Sequence, residues 1–196
     1  MARQEALIWA VAALSLSQVA QALDVERLDV DFRGDRYVVE FVAQLNVPAE
    51  AVHAVLTDYD AYPALDPRIQ ESRVLGRDGD HSVRLYTRMR GCLGTLLCRT
   101  MQRVEDIQEM PDELLATAIL DQSDVRFGVT RSQWQAKENG TQVVYRLEIM
   151  PKFWIPPLFG PRLMVRTLRA GTIELFTNVE KAARERNSTV AVNPHD

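Results

Sequence analysis

The chain has 196 residues, a formal net charge of −4 and 26% charged residues. That balance fits one globular domain with a substantial core and excludes general disorder. Net acidity without any Lys/Arg-rich block removes the electrostatic footprint of a nucleic-acid binder, and no segment reaches the roughly 18–20 apolar residues that span a bilayer.

Residues 1–22 have the pattern of a secretory signal: Arg3 near the start, an apolar run from Ala6 to Leu16, then small residues at Ala20 and Ala22. Cleavage after Ala22 and a periplasmic, oxidising destination are expected. The competing reading is an ordinary N-terminal helix or an uncleaved anchor, because Glu5 dilutes the positive charge ahead of the apolar run.

From Leu23 to Asn46 the period turns to two. Val25, Leu28, Val30 and Phe32 lead to the turn Arg33-Gly34-Asp35, and Tyr37, Val39, Phe41, Ala43 and Leu45 then alternate with polar residues. Tight-turn chemistry explains the Arg-Gly-Asp triplet better than adhesion does. Pro48 opens a short helix with Val52, Val55, Leu56 and Tyr59 on one stripe, and a second short helix or turn is expected before Pro67. His53 lies off that stripe with no ligand cluster at metal spacing, so it reads as a boundary histidine.

Ile69–Leu75, Ser82–Gly91, Leu97–Ile107, Leu114–Leu120, Val125–Ala136 and Thr141–Met150 read as six consecutive strands separated by turn residues, hence an antiparallel meander. A long helix is predicted from Pro161 to about Arg186. Its apolar stripe is Leu168, Thr172, Leu175, Val179 and Ala182, with Arg166, Arg169, Glu180, Arg184 and Glu185 mostly elsewhere. Gly171 in mid-helix costs about 1 kcal/mol against alanine, so something should approach the backbone there; a strand is the first expectation and a ligand the second. Residues 188–196 are expected to form a disordered tail.

Several local patterns resemble the START-like superfamily, which groups polyketide cyclase-like, coenzyme Q-binding-like and pollen-allergen-like proteins. They are Asn46-Val47-Pro48-Ala49-Glu50-Ala51-Val52 running into Val55-Leu56-Thr57-Asp58-Tyr59, Pro67-Arg68-Ile69 with Ser72-Arg73-Val74, and Trp134. Asn139-Gly140-Thr141 with Val143-Val144-Tyr145 and the Pro151–Pro161 approach to the last helix complete them. The resemblance spans residues 36–186 and implies an α+β helix-grip fold: a curved antiparallel sheet wrapped around the C-terminal helix over residues 23–187, with a cavity for an apolar ligand between them. Residues expected to line that cavity are Phe41, Tyr59, Leu85, Met89, Met101, Tyr145, Phe153, Trp154, Phe159, Leu168 and Leu175. Val39, Leu115, Ile119, Leu147 and Ile149 are further inward candidates, and alternation alone does not separate solid core from cavity wall.

Cys92 and Cys98 flank five residues. In one straight strand they stand about 20 Å apart, whereas a turn near Thr95 sets them opposite one another. Export and an even count favour a disulfide over two free thiols. The same register pairs Met89 with Met101, Arg88 with Gln102 and, less comfortably, Leu85 with Glu105. Arg103 and Glu105 share the parity of Met101, and are read as solvent-exposed near a sheet edge ahead of a ligand-facing role.

Phe153, Trp154, Ile155, Leu158 and Phe159 sit among four prolines, with more apolar surface than a connector needs. Three readings stay open: a core plug, a cavity lid, and a patch in transient contact with a membrane surface. There is no Gly-rich phosphate loop, no nucleophile elbow, no C-x-x-C and no histidine cluster, so no catalytic, metal or cofactor residue is assigned. The leading expectation is non-enzymatic binding of a hydrophobic small molecule or lipid, quinone-like compounds included. A cyclase- or hydrolase-type enzyme using the same cavity, or an envelope interaction module, are the alternatives. Oligomeric state is not legible.

Overall fold

The computed structural model describes residues 23–79, 81–93 and 97–192. The expected signal segment with cleavage after Ala22, the turn centred on Thr95 and the last four residues of the expected tail lie outside the described residues.

Strand β1 (Asp24–Arg33) turns through Gly34, at φ 65°, into β2 (Arg36–Leu45). Helix α1 (Ala49–Leu56) follows, with the Pro48 carbonyl accepting from the Ala51 and Val52 N–H groups. A 3-10 turn over Tyr59–Ala61 leads to the single-turn α2 (Tyr62–Leu65). The meander is β3 (Ile69–Arg77), β4 (Ser82–Leu93), β5 (Leu97–Met110), β6 (Glu113–Ala118), β7 (Val125–Lys137) and β8 (Gly140–Pro151). Helix α3 (Gly160–Val192) closes the fold.

The eight strands form one antiparallel sheet in the order β1-β2-β8-β7-β6-β5-β4-β3. Pairing of β2 with β8 joins the first hairpin to the end of the meander, with Phe41 opposite Tyr145 and Val39 opposite Leu147. Gly140 makes the β7–β8 turn possible. Its φ is 127°, and a Cβ there would collide with the Leu45 carbonyl oxygen. This is the α+β helix-grip arrangement, with α3 lying across the inner face of the sheet.

Three expectations are corrected. Helix α3 runs to Val192, so most of the stretch read as a disordered tail is helical. In β6 the inward residues are Leu114, Ala116 and Ala118, not Leu115 and Ile119. The run Leu114-Leu115-Ala116-Thr117-Ala118 has an apolar residue at four of its five positions, so alternation carries little signal there. Glu180 is buried rather than on an exposed face. Its Oε1 accepts from the Asn46 N–H at 3.2 Å and from Arg184 Nη2 at 2.7 Å, tying α3 to the residue that follows β2.

Packing is uneven along α3. In its C-terminal half, Phe176, Val179 and Ala183 are buried in the same core as Val52 and Val55 of α1 and Phe41, Ala43 and Leu45 of β2. In its N-terminal half, Met164, Leu168 and Leu175 are only partly covered. Phe176 lies at the junction, stacked on Phe41 at 4.7 Å between ring centroids and edge-on to Tyr145 at 5.3 Å. Truncation of Phe176 to alanine therefore removes the seat of the helix and should cost about 3–5 kcal/mol, read as a lowered urea midpoint. A loss under about 1 kcal/mol would show that α3 is held by other contacts.

Candidate functional site

The uneven packing leaves a cavity of about 330 Å³ between the sheet and the N-terminal half of α3, within the ~300–1,000 Å³ of small-molecule sites. Its walls come from alternate residues of four strands: Thr87 and Met89 of β4, Met101, Arg103 and Glu105 of β5, Thr130 and Ser132 of β7, and Tyr145, Leu147 and Ile149 of β8. Helix α3 adds Met164, Leu168, Thr172, Leu175 and Phe176. Phe153, Trp154 and Pro156 stand at the rim, opposite Gly91, Cys92 and Arg99 of the β4–β5 hairpin.

Of the residues expected to line the cavity, Met89, Met101, Tyr145, Phe153, Trp154, Leu168 and Leu175 are in its wall. Phe41 and Leu85 are not; both are fully buried in the core, Phe41 behind the Phe176 ring. Tyr59 is also core, and its hydroxyl donates to Glu109 Oε1 at 2.7 Å. Burial and that hydrogen bond push its ionisation well above the usual tyrosine range. Phe159 is half exposed and points away from the cavity wall. Parity placed these side chains on the right face, but only the lean of the helix separates wall from core.

The largest departure from the sequence reading is Arg103 and Glu105, which are inside rather than at a solvated edge. Their side chains are 19% and 4% exposed, and Arg103 Nε lies 2.9 Å from Glu105 Oε2. The approach is too oblique for a hydrogen bond. Arg103 Nε and Glu105 Oε1 therefore have Coulomb attraction but no hydrogen-bond partner among the described residues, and the Thr87 and Thr130 hydroxyls also lack one. A buried carboxylate oxygen without a donor costs on the order of 1–3 kcal/mol or more. The Leu85–Glu105 pairing that reads as a mismatch in sequence is the true register, and it was the available signal for this polar pole.

Tyr62 and Tyr145 border the same pole. The Tyr62 hydroxyl donates to the Leu56 carbonyl at 2.8 Å, whereas the Tyr145 hydroxyl makes no hydrogen bond among the described residues. Burial pushes the Tyr145 phenol up to about 12, with the Arg103 cation opposing the rise and the Glu105 charge partly offsetting Arg103. It is a neutral donor at physiological pH. Beyond it Arg68 makes a bidentate pair with Asp66, Nε–Oδ1 2.7 Å and Nη2–Oδ2 2.6 Å. Burial disfavours the Arg68 cation, but Asp66 outweighs burial and raises its pKa. The Arg68 guanidinium lies directly on Gly171, where any Cβ would overlap it. A side chain, rather than the expected strand, is what approaches the helix at that glycine.

Cys92 and Cys98 are directly opposed and disulfide-bonded, pinning the hairpin that forms one side of the mouth. The proline-rich segment divides. Pro151 and Pro156 are buried and Ile155 packs on the core, while Trp154, Leu158 and Phe159 are 76%, 87% and 50% exposed. No cluster of metal-ligating side chains occurs among the described residues.

An antiparallel sheet gripping a long helix over an apolar cavity with one polar pole defines a START-like protein of helix-grip architecture. The chain belongs to the polyketide cyclase / dehydrase and lipid transport family, whose profile matches residues 36–183. No curated protein matches it. Among solved structures it is similar to TTHA0849 from Thermus thermophilus, at 15% identity and TM-score 0.63, covering 76% of this chain and 98% of that one. The Zhui aromatase/cyclase from Streptomyces sp. R1128 aligns at 13% identity and TM-score 0.61, over 76% and 94% of the two chains. Human STARD10 aligns at 15% and 0.59, over 86% and 78%. At these identities the likeness is one of fold.

Because Trp154 is 76% exposed, its truncation to alanine should cost no more than about 1 kcal/mol and move Tm by only a few degrees. Ile155→Ala, which opens the core, should cost about 2–4 kcal/mol. Equal losses in the two melts would identify the whole segment as a plug.

Proposed function

We propose that the protein binds and carries a hydrophobic small molecule bearing one polar head, held with its apolar body against Met89, Met101, Leu147, Leu168 and Leu175. The carrying observation is the unpartnered Glu105 Oε1 in the cavity wall, beside the Arg103 cation and the free Thr87 and Thr130 hydroxyls. A group that both donates and accepts, such as a hydroxyl or an amide, satisfies Glu105 and Arg103 together. The family description, which includes lipid transport, supports this reading.

Dodecanol and dodecane, compared by displacement of a fluorescent apolar probe, test the polar pole. Wild type should prefer the alcohol by about tenfold or more, and the isosteric Thr87→Val/Thr130→Val pair with Glu105→Gln should reduce that preference to under about threefold while still binding dodecane. Equal affinity of wild type for both would overturn the head-group reading.

A second reading is favoured by the same residues. A carboxylate and a neutral phenol within one cavity would serve as base and acid on a bound substrate, and the Zhui neighbour is an aromatase/cyclase. Native mass spectrometry of protein from its own cells separates the two. A bound molecule recovered unaltered after incubation supports carriage, and a mass change supports cyclase or dehydrase chemistry.

We also infer export. The apolar run Ala6–Leu16 followed by Ala20 and Ala22 supports it, as does the Cys92–Cys98 bond, which persists in oxidising compartments. N-terminal sequencing of the cellular protein should begin at Leu23; an intact Met1 would retire this inference.

A further inference from the structure

We infer that the mouth of the cavity docks on an anionic lipid bilayer. The inference goes beyond ligand binding, and stands on the distribution of arginine. Thirteen of the nineteen arginines among the described residues are ion-paired with a carboxylate, and Arg169 donates to the Leu28 carbonyl. The exceptions are Arg90, Arg99, Arg126, Arg162 and Arg166, which have neither ion pair nor side-chain hydrogen bond.

These five gather at one end of the molecule. Arg99 lines the mouth, and Arg90 precedes the mouth residues Gly91 and Cys92. Arg162 and Arg166 occupy the first two turns of α3 on either side of Met164, and Arg126 sits in the bulge beside Pro151. Trp154, Leu158 and Phe159 are exposed in the segment that runs from β8 into the first turn of α3, the turn that carries Arg162.

Unpaired cations around exposed aromatic and aliphatic side chains match a surface of phosphates over hydrocarbon. Trp154 suits the interfacial layer, and each arginine gains from anionic headgroups. A second copy is a poor occupant, since a two-fold contact through this face would set arginines against arginines. The chain as a whole carries a net charge of −4, so the surface away from these five arginines is more acidic still and is repelled by the same bilayer, which orients the mouth towards it.

Vesicle flotation provides the test, using the chain from Leu23 onward, which holds every described element, alongside the full chain. Phosphatidylcholine vesicles are compared with phosphatidylcholine–phosphatidylglycerol vesicles. Binding to the anionic vesicles should be about tenfold or more tighter, and should weaken as salt is raised. Arg162→Gln/Arg166→Gln should weaken it about thirtyfold, and Trp154→Ala about tenfold with loss of the blue shift in tryptophan emission. Thermal melts and dodecanol binding should stay unchanged in the arginine double variant, which keeps this inference separate from the cavity reading. Equal binding to both vesicle types, or full binding by these variants, would overturn it. So would a Trp154-dependent dimer in sedimentation without flotation, which would assign the face to a second copy.

Discussion

The stack of Phe176 on Phe41 marks the point along α3 where close packing gives way to open volume. On its C-terminal side Val179 and Ala183 lie fully buried among the residues of α1 and β2. Small side chains let the helix approach there, and Glu180 fastens it to the Asn46 backbone. On the other side the helix cannot follow the sheet inward, because the Arg68–Asp66 pair packs against Gly171 and the half-buried Ile155 and buried Pro156 lie against the first turn. A rigid rod seated at one end and propped at the other encloses a cavity without any residue dedicated to making one.

That geometry explains why the polar pole is sustainable. A carboxylate and a guanidinium buried side by side on one strand face lose hydration that their mutual attraction only partly returns. In a solid core this would favour replacement by apolar residues. Both residues instead line a cavity, where the proposed head group would supply the hydrogen bonds the chain does not. The neutral Tyr145 phenol adds a donor without adding charge, because burial keeps its ionisation far above physiological pH.

The mouth has a different logic from the floor. Disulfide closure of the β4–β5 hairpin and proline stiffening of the segment before α3 both reduce the ordering cost of presenting side chains to a partner. Apolar groups so presented are unfavourable in water unless covered. Elsewhere on the described surface the arginines other than Arg169 are matched by carboxylates, as in the Arg27–Glu40–Arg146–Glu148 lattice on the outer sheet face. At the mouth they are not.

Much of this was legible in the chain itself. Period-two runs, the Gly34 and Gly140 turns, the Pro48 helix start and the long 3.6-period stripe specify the elements and their order, because each depends on backbone preferences of neighbouring residues. The Cys92–Cys98 register followed from the hairpin it requires. What tertiary structure alone decided was which inward residues touch solid core and which touch a cavity: Phe41 and Leu85 share their faces with Tyr145 and Met89, and only the tilt of α3 distinguishes them. It likewise decided that Glu105 is inside, that α3 outlasts Arg186, that Arg68 fills the space against Gly171, and that the unpaired arginines converge at one end. Those outcomes depend on distances between residues far apart in the chain, and no local pattern encodes them.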